Sequence, residues 1–180
     1  MLWRNDVLIQ GDGLAFSQPE GGVSGKYIIA HELAHAHENY FRDRQLPGIL
    51  LQHRLFGAQE ILLFQTADTC WSEYAASNLS AAAYPEHGLL YERTFVAALR
   101  QFAERILVTK REWAKDQDYG KAWARIPSDV TAVLRYASYL MGHVSGLNEV
   151  FENYASEAWI LMKENAWLLP RFDTASSRPK

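Results

Sequence analysis

Two histidines on either side of a glutamate are the part of this chain whose residue types specify chemistry. Residues 31–35 read HELAH, and residues spaced this way lie on the same face of an α-helix. His31 and His35 can therefore present two imidazoles to one metal ion, while Glu32 can accept a proton from a water molecule beside them. The pattern predicts metal-dependent hydrolysis.

A third metal ligand must come from elsewhere in the chain, because a catalytic zinc ion usually takes about three protein ligands and one water. The three-histidine pattern would place that ligand at position 41, which is Phe41. We predict Glu73 instead, since the helix face that carries it is otherwise built of small residues that permit a close approach to the motif helix. Those small residues are Ala76, Ser77 and Ser80.

Other side chains remain open as ligands. Glu38 and Glu60 are the competing carboxylates. His53, His87 and His143 also have the right chemistry, but no pattern around them supports a ligand role.

Two further residues are predicted to support the metal ligands through hydrogen bonds. Ser77 lies one turn after Glu73 and can bond to a ligating group. Glu38 lies further along the histidine stripe and can orient a histidine. Partners of this kind fix the tautomer and direction of metal ligands.

Hydrolysis also needs a donor for the negative charge that develops on the substrate carbonyl oxygen. The side chains able to supply it are Tyr74, Tyr84, His87 and His143. Nothing in the sequence chooses among these four.

The helix that carries the motif has two different faces at about 100° per residue. One polar stripe holds His31, His35, Glu38 and Arg42. The opposite side is largely apolar and holds Ala30, Leu33, Ala34, His37 and Phe41. We expect this apolar side to face the core, with His37 as a packed or boundary residue too far round the helix to reach the metal.

The elements that must position these residues are mostly helical. An Asp-Gly turn between residues 7–9 and 14–16 predicts a small N-terminal β-hairpin. Ser24 is a candidate cap for the motif helix, and Pro127 is expected in the first turn of a later helix. The predicted helices cover residues 26–44, 49–83 (broken near Gly57 or around 66–69), 89–118, 127–146 and 149–169.

The expected fold class is therefore mostly α (α+β), with a C-terminal helical bundle. One domain is predicted over residues 1–172, followed by a polar, disordered tail at residues 173–180. The chain has 180 residues, which is room for one substantial core.

Composition and charge exclude some partners. The net charge is −3 and no basic block is present, so we expect no nucleic-acid partner. No apolar run approaches the roughly 20 residues of a membrane span, and the N-terminus lacks a secretory signal pattern. A single cysteine, Cys70, allows no intramolecular disulfide, which is typical of a cytoplasmic protein. The oligomeric state stays open.

The HELAH motif followed by EYAAS at residues 73–77 resembles the gluzincin type of HExxH metallopeptidase. It is most similar to the small bacterial peptidases of the ImmA/IrrE type, over about residues 25–84. The resemblance implies a zincin-like helical core, Zn²⁺ as cofactor and a glutamate as third ligand. It also implies a peptide or protein substrate.

We therefore expect a zinc metallopeptidase in which Glu32 is the general base, acting on a peptide bond of a specific regulatory protein. The alternative is a non-catalytic helical interaction module with a structural metal site. Glu32 distinguishes the two, because a structural site has no use for its carboxylate.

Overall fold

The computed structural model describes residues 22–50 and 56–165. Within these ranges the chain is helical and contains no β-strand, which confirms the mostly α prediction. The helices are α1 (Gly22–Gln45), α2 (Ala58–Ser80), α3 (Gly88–Asp116), α4 (Tyr119–Gly146), α5 (Phe151–Tyr154) and α6 (Ser156–Glu164). Two short 3₁₀ helices, Ala81–Ala83 and Pro85–His87, connect α2 to α3.

Some predicted elements lie outside the described residues. The β-hairpin at residues 7–16 and the tail at residues 173–180 are among them. Across the described helices, none combines the length and apolar character that crossing a membrane requires.

The predicted start of the motif helix is wrong. Helix α1 begins at Gly22, so Ser24 lies inside the helix and cannot be its cap. The break expected near Gly57 is confirmed, because Gly57 has a φ of 97° and α2 begins directly after it. Positive φ is a conformation that glycine adopts at little cost. The alternative break at residues 66–69 does not occur.

The predicted start of the helix at Pro127 is also wrong, since this proline lies inside α4. The real boundary is set by Asp118, whose side chain accepts a hydrogen bond from the backbone N–H of Lys121. Gln117, directly before the cap, has a φ of 55° and ends α3. A side chain that accepts from a free backbone N–H of the first turn stabilises the start of a helix there, and Asp118 supplies this acceptor well before Pro127.

The last predicted helix is interrupted. Ala155 leaves the helical conformation and separates α5 from α6, and its side chain is fully buried. The main apolar core forms here, between α3, α4 and the C-terminal helices. Its buried members are Phe95, Val96, Leu99, Val133, Ala137, Leu140, Val144, Ala155, Ala158 and Met162.

The expectation that the apolar side of α1 faces the core is wrong for most of that side. Leu33 is 54% exposed and Phe41 is 46% exposed, whereas His31 and Glu38 of the polar stripe are buried. The polar stripe turns inward because α2 offers hydrogen-bond partners for it, and buried polar groups need such partners. Ala34 is the buried exception on the other side.

Helices α1 and α2 run antiparallel and are joined mainly by polar side chains. Arg42, near the C-terminal end of α1, pairs with Asp68 of α2 at 2.6 Å. About one turn back along α1, Glu38 accepts a hydrogen bond from Trp71 Nε1 at 2.9 Å. Towards the N-terminal end of α1 and the C-terminal end of α2, the same interface continues to the motif histidines.

Helices α2 and α4 pack backbone against backbone. A Cβ atom at Gly142 would overlap the carbonyl oxygen of Tyr74, and one at Gly146 would overlap that of Asn78. The two glycines thus remove the side chains that would hold the helices apart. This close contact fixes α2, and hence Glu73, against the rest of the bundle.

We expect Gly142→Ala to lower the free energy of unfolding by about 1–3 kcal/mol, because the new methyl group must push α2 away from α4. Chemical denaturation followed by circular dichroism measures the change. Ser128→Ala, at an exposed position of the same helix, is the control and should change stability by less than about 0.5 kcal/mol. Equal stability of Gly142→Ala and the parent would contradict the packing described above.

Candidate metal centre

Three predicted ligands lie together at the interface between α1 and α2. Nε2 of His31 and Nε2 of His35 each lie 3.3 Å from Oε2 of Glu73. The ligand atoms of all three residues lie within 4.8 Å of one another. The structure therefore brings together the two motif histidines and the predicted glutamate in an arrangement that could hold a metal ion.

Two of the three distances between these atoms match those around a tetrahedral zinc ion, while the group as a whole spans up to 4.8 Å. Zinc binds imidazole nitrogen and carboxylate oxygen at about 2.0–2.2 Å in a tetrahedral arrangement. Neighbouring ligand atoms are then separated by about 3.3–3.5 Å, and both histidine–glutamate distances are 3.3 Å. The donor set of two imidazoles and one carboxylate is also one that catalytic zinc sites use.

The carboxylate of Glu73 is held in its charged form. Burial alone would raise its pKa, but hydrogen bonds with His31, His35 and Tyr139 outweigh that effect and hold the pKa well below its usual range. A charged carboxylate is the form that binds a metal ion.

His35 is oriented by two residues that follow each other on α2. Its Nδ1 lies 2.9 Å from the hydroxyl of Ser72, and its Nε2 faces the carboxylate of Glu73. The hydrogen bond with Glu73 raises the pKa of His35 above its usual 6.5, against the opposing effect of burial. Ser72 thus takes the supporting position that Ser77 was predicted to hold.

Beside the ligands lies a solvent-accessible cavity of about 270 Å³. Glu32 also lines this cavity, and its side chain is exposed. The complete lining is Tyr27, Ile28, His31, Glu32, His35, Glu73, His87, Tyr91 and Tyr139.

The two predicted supporting residues make other contacts. Glu38 pairs with Arg42 at 3.1 Å and accepts from Trp71, and no hydrogen bond joins it to a histidine in the described part of the chain. Ser77 is fully buried beside the hydroxyl groups of Tyr27 and Tyr91. Glu38 therefore joins α1 to α2, and Ser77 packs in the interior, rather than either residue holding a metal ligand in place.

Glu60 and His37 make contacts outside the three-residue group. Glu60 accepts a hydrogen bond from the backbone N–H of Phe56 at the start of α2. His37 is exposed, with its ring against Phe41 at 4.6 Å. His53 lies outside the described residues.

Among the four candidate donors for a substrate oxygen, His87 lines the cavity and the other three do not. The hydroxyl of Tyr74 donates to Ser145 at 3.0 Å. His143 is fully buried, and its Nε2 lies 2.9 Å from the carbonyl oxygen of Pro85. Tyr84 contacts the ring of His87.

Sequence reasoning missed three tyrosines that form a wall of the cavity. Tyr27 and Tyr91 join their hydroxyl groups at 2.8 Å, and the ring of Tyr139 stacks on that of Tyr91 at 5.1 Å. Aromatic residues at helical spacing are more often part of a core than of a site, so the sequence around Tyr139 carries no signal of a cavity. Tyr27 and His31 are four apart on α1, which is a weak signal that could have found Tyr27.

No protein-family model, curated protein sequence or solved structure matches this chain. What the site can do therefore follows from its own residues.

We expect the purified protein to bind one zinc ion per chain. His35→Ala and Glu73→Ala should bind zinc at least about 100-fold more weakly, because removing a metal ligand lowers the affinity more than removing a residue that only supports a ligand. Metal content by mass spectrometry and a chelator competition measure this. The control, His37→Ala, removes a neighbouring exposed histidine and should bind like the parent. Zinc retained by Glu73→Ala would show that another residue is the third ligand.

Zinc affinity should fall as the pH is lowered, because zinc must displace a proton from each protonated imidazole. Since the pKa of His35 is raised above 6.5, this competition begins at a higher pH than for an ordinary histidine. We expect binding at about pH 5.5 to be at least about tenfold weaker than at about pH 7.5. Chelator competition across this range measures it, and a constant affinity would contradict the proton competition.

Proposed function

We propose that this protein is a zinc-dependent metallopeptidase in which His31, His35 and Glu73 hold the metal and Glu32 is the general base. The observation that carries the proposal is the shared cavity, which the three ligand side chains and Glu32 all line. Metal ligands and a proton acceptor on one accessible surface are what hydrolysis of a bound substrate requires.

The number of ligands favours a catalytic site over a structural one. Structural zinc sites are usually closed by about four protein ligands, whereas catalytic sites keep one position open. In the described part of the chain, the ligand group consists of His31, His35 and Glu73 alone, and it borders a cavity. This arrangement leaves room for water and for a substrate.

Zinc bound here would lower the pKa of a coordinated water toward about 7 and polarise the substrate carbonyl group. Glu32 is suited to accept the proton of that water on a carboxylate oxygen and to deliver it to the nitrogen of the leaving amine. Its carboxylate is exposed, and no hydrogen bond or ion pair commits it to another described residue. Glu73, by contrast, is engaged by both histidines and stays in place.

The proposed substrate is a peptide or a protein, with a single regulatory protein as the form suggested by the resemblance to ImmA/IrrE-type peptidases. The tyrosine wall offers apolar surface and hydroxyl groups close to the proposed metal. A peptide presents both apolar side chains and a polar backbone, so it matches this mixture.

Glu32→Gln should abolish peptide cleavage while leaving zinc bound. The amide cannot accept the proton, and we expect kcat to fall by about 100–10,000-fold. Cleavage of a mixed peptide library, followed by mass spectrometry, together with metal content, measures both properties.

The matched control is Glu104→Gln, an exposed glutamate on α3, which should behave like the parent. Turnover that survives Glu32→Gln would remove Glu32 from the mechanism. Zinc binding without cleavage by the parent would favour the non-catalytic interaction module.

A further inference from the structure

The polar groups that line the cavity differ in whether their hydrogen-bonding capacity is already used. The hydroxyl groups of Tyr27 and Tyr91 bond to each other at 2.8 Å. Tyr139 is engaged with Glu73. The imidazole of His87 makes no hydrogen bond with any residue in the described ranges, so its N–H is available to a ligand.

The ring of His87 is held firmly although its nitrogens are free. It stacks on Tyr27 with ring centroids 4.2 Å apart and meets the edge of Tyr91 at 4.8 Å. His87 ends the 3₁₀ helix Pro85–His87, whose Pro85 carbonyl oxygen is bonded by Tyr154 at 2.7 Å. Aromatic contacts on two sides fix the plane of the imidazole without occupying its donor.

His87 is neutral at physiological pH. Burial, together with the neighbouring His143 and His31, lowers its pKa to about 4. A neutral imidazole carries one N–H donor and one acceptor nitrogen. His87 can therefore donate a hydrogen bond without bringing a positive charge next to the proposed zinc ion.

Resting on the proposed function, we propose that His87 donates a hydrogen bond to the substrate carbonyl oxygen that gains negative charge during peptide hydrolysis. Glu32 and His87 line the same cavity and have complementary capacities, one as proton acceptor and the other as donor. A fixed donor aimed at a developing negative charge needs no reorganisation when that charge appears. His87 is then a catalytic residue supplied by the connection between α2 and α3.

Two substitutions test the N–H donor of His87 and the packing of its ring separately. His87→Phe keeps an aromatic ring against Tyr27 but has no N–H, whereas His87→Gln keeps an N–H but no ring. His37→Phe makes the same chemical change at an exposed histidine outside the cavity. Each zinc-loaded protein is tested for metal content, for helical content and for binding of phosphinic pseudopeptides, whose tetrahedral anionic group resembles the reacting carbonyl.

We expect His87→Phe to keep its zinc and to bind the phosphinic pseudopeptides at least about 100-fold more weakly than the parent. With a peptide that the parent cleaves, kcat should fall by about 100–1,000-fold while KM changes little, because the donor acts mainly in the transition state. His87→Gln should regain at least about tenfold of the lost affinity, and His37→Phe should match the parent. If His87→Phe does not fold, His87→Leu replaces it as the variant that lacks the N–H donor.

The outcomes separate this inference from the proposed function. Pseudopeptide binding that is lost in His87→Phe supports the role of His87 even if no peptide is cleaved, and in that case the proposed peptidase activity fails alone. Unchanged binding in His87→Phe, or a zinc-loaded parent that binds none of the pseudopeptides, overturns the role of His87.

Discussion

The partly buried carboxylate of Glu73 is the group on which the arrangement around the candidate site depends. Burying a charged carboxylate without partners is costly, and here burial alone would raise its pKa. Hydrogen bonds with His31 and His35 of α1 and with Tyr139 of α4 reverse that effect. Because these partners belong to different helices, satisfying one carboxylate aligns α1, α2 and α4. A metal ion held by His31, His35 and Glu73 would also compensate the charge of this carboxylate.

This requirement also explains why α1 is oriented with its polar stripe inward. The interface with α2 is a series of polar contacts, from Arg42–Asp68 at one end to the histidines and Glu73 at the other. Leu33 and Phe41 are left exposed as a result. A second contact holds α2 in place, because Gly142 and Gly146 allow α4 to contact the backbone of α2. The site is thus built on paired helices, which position side chains more accurately than loops do.

The open side of the site is formed by residues far apart in sequence. Tyr27, His87, Tyr91 and Tyr139 come from three helices and the connection between α2 and α3. Their ring contacts position His87 while leaving its N–H free. The cavity therefore combines the metal-ligand candidates of α1 and α2 with aromatic groups from α1, α3, α4 and the connection between α2 and α3.

The sequence by itself determined the helical class, Gly57 as one of two candidate breaks, and the ligand candidates His31, His35 and Glu73. These follow from local rules: spacing places two imidazoles on one helix face, and small residues around Glu73 permit close helix packing. Only the tertiary structure decided the contacts of Ser72 and Tyr139 with the ligand group, the inward turn of the polar stripe and the position of His87, alone among the four candidate donors, at the cavity. Each of these depends on which surfaces meet between helices, and the hydrogen-bonding and burial of a side chain are settled by its neighbours in space rather than in sequence.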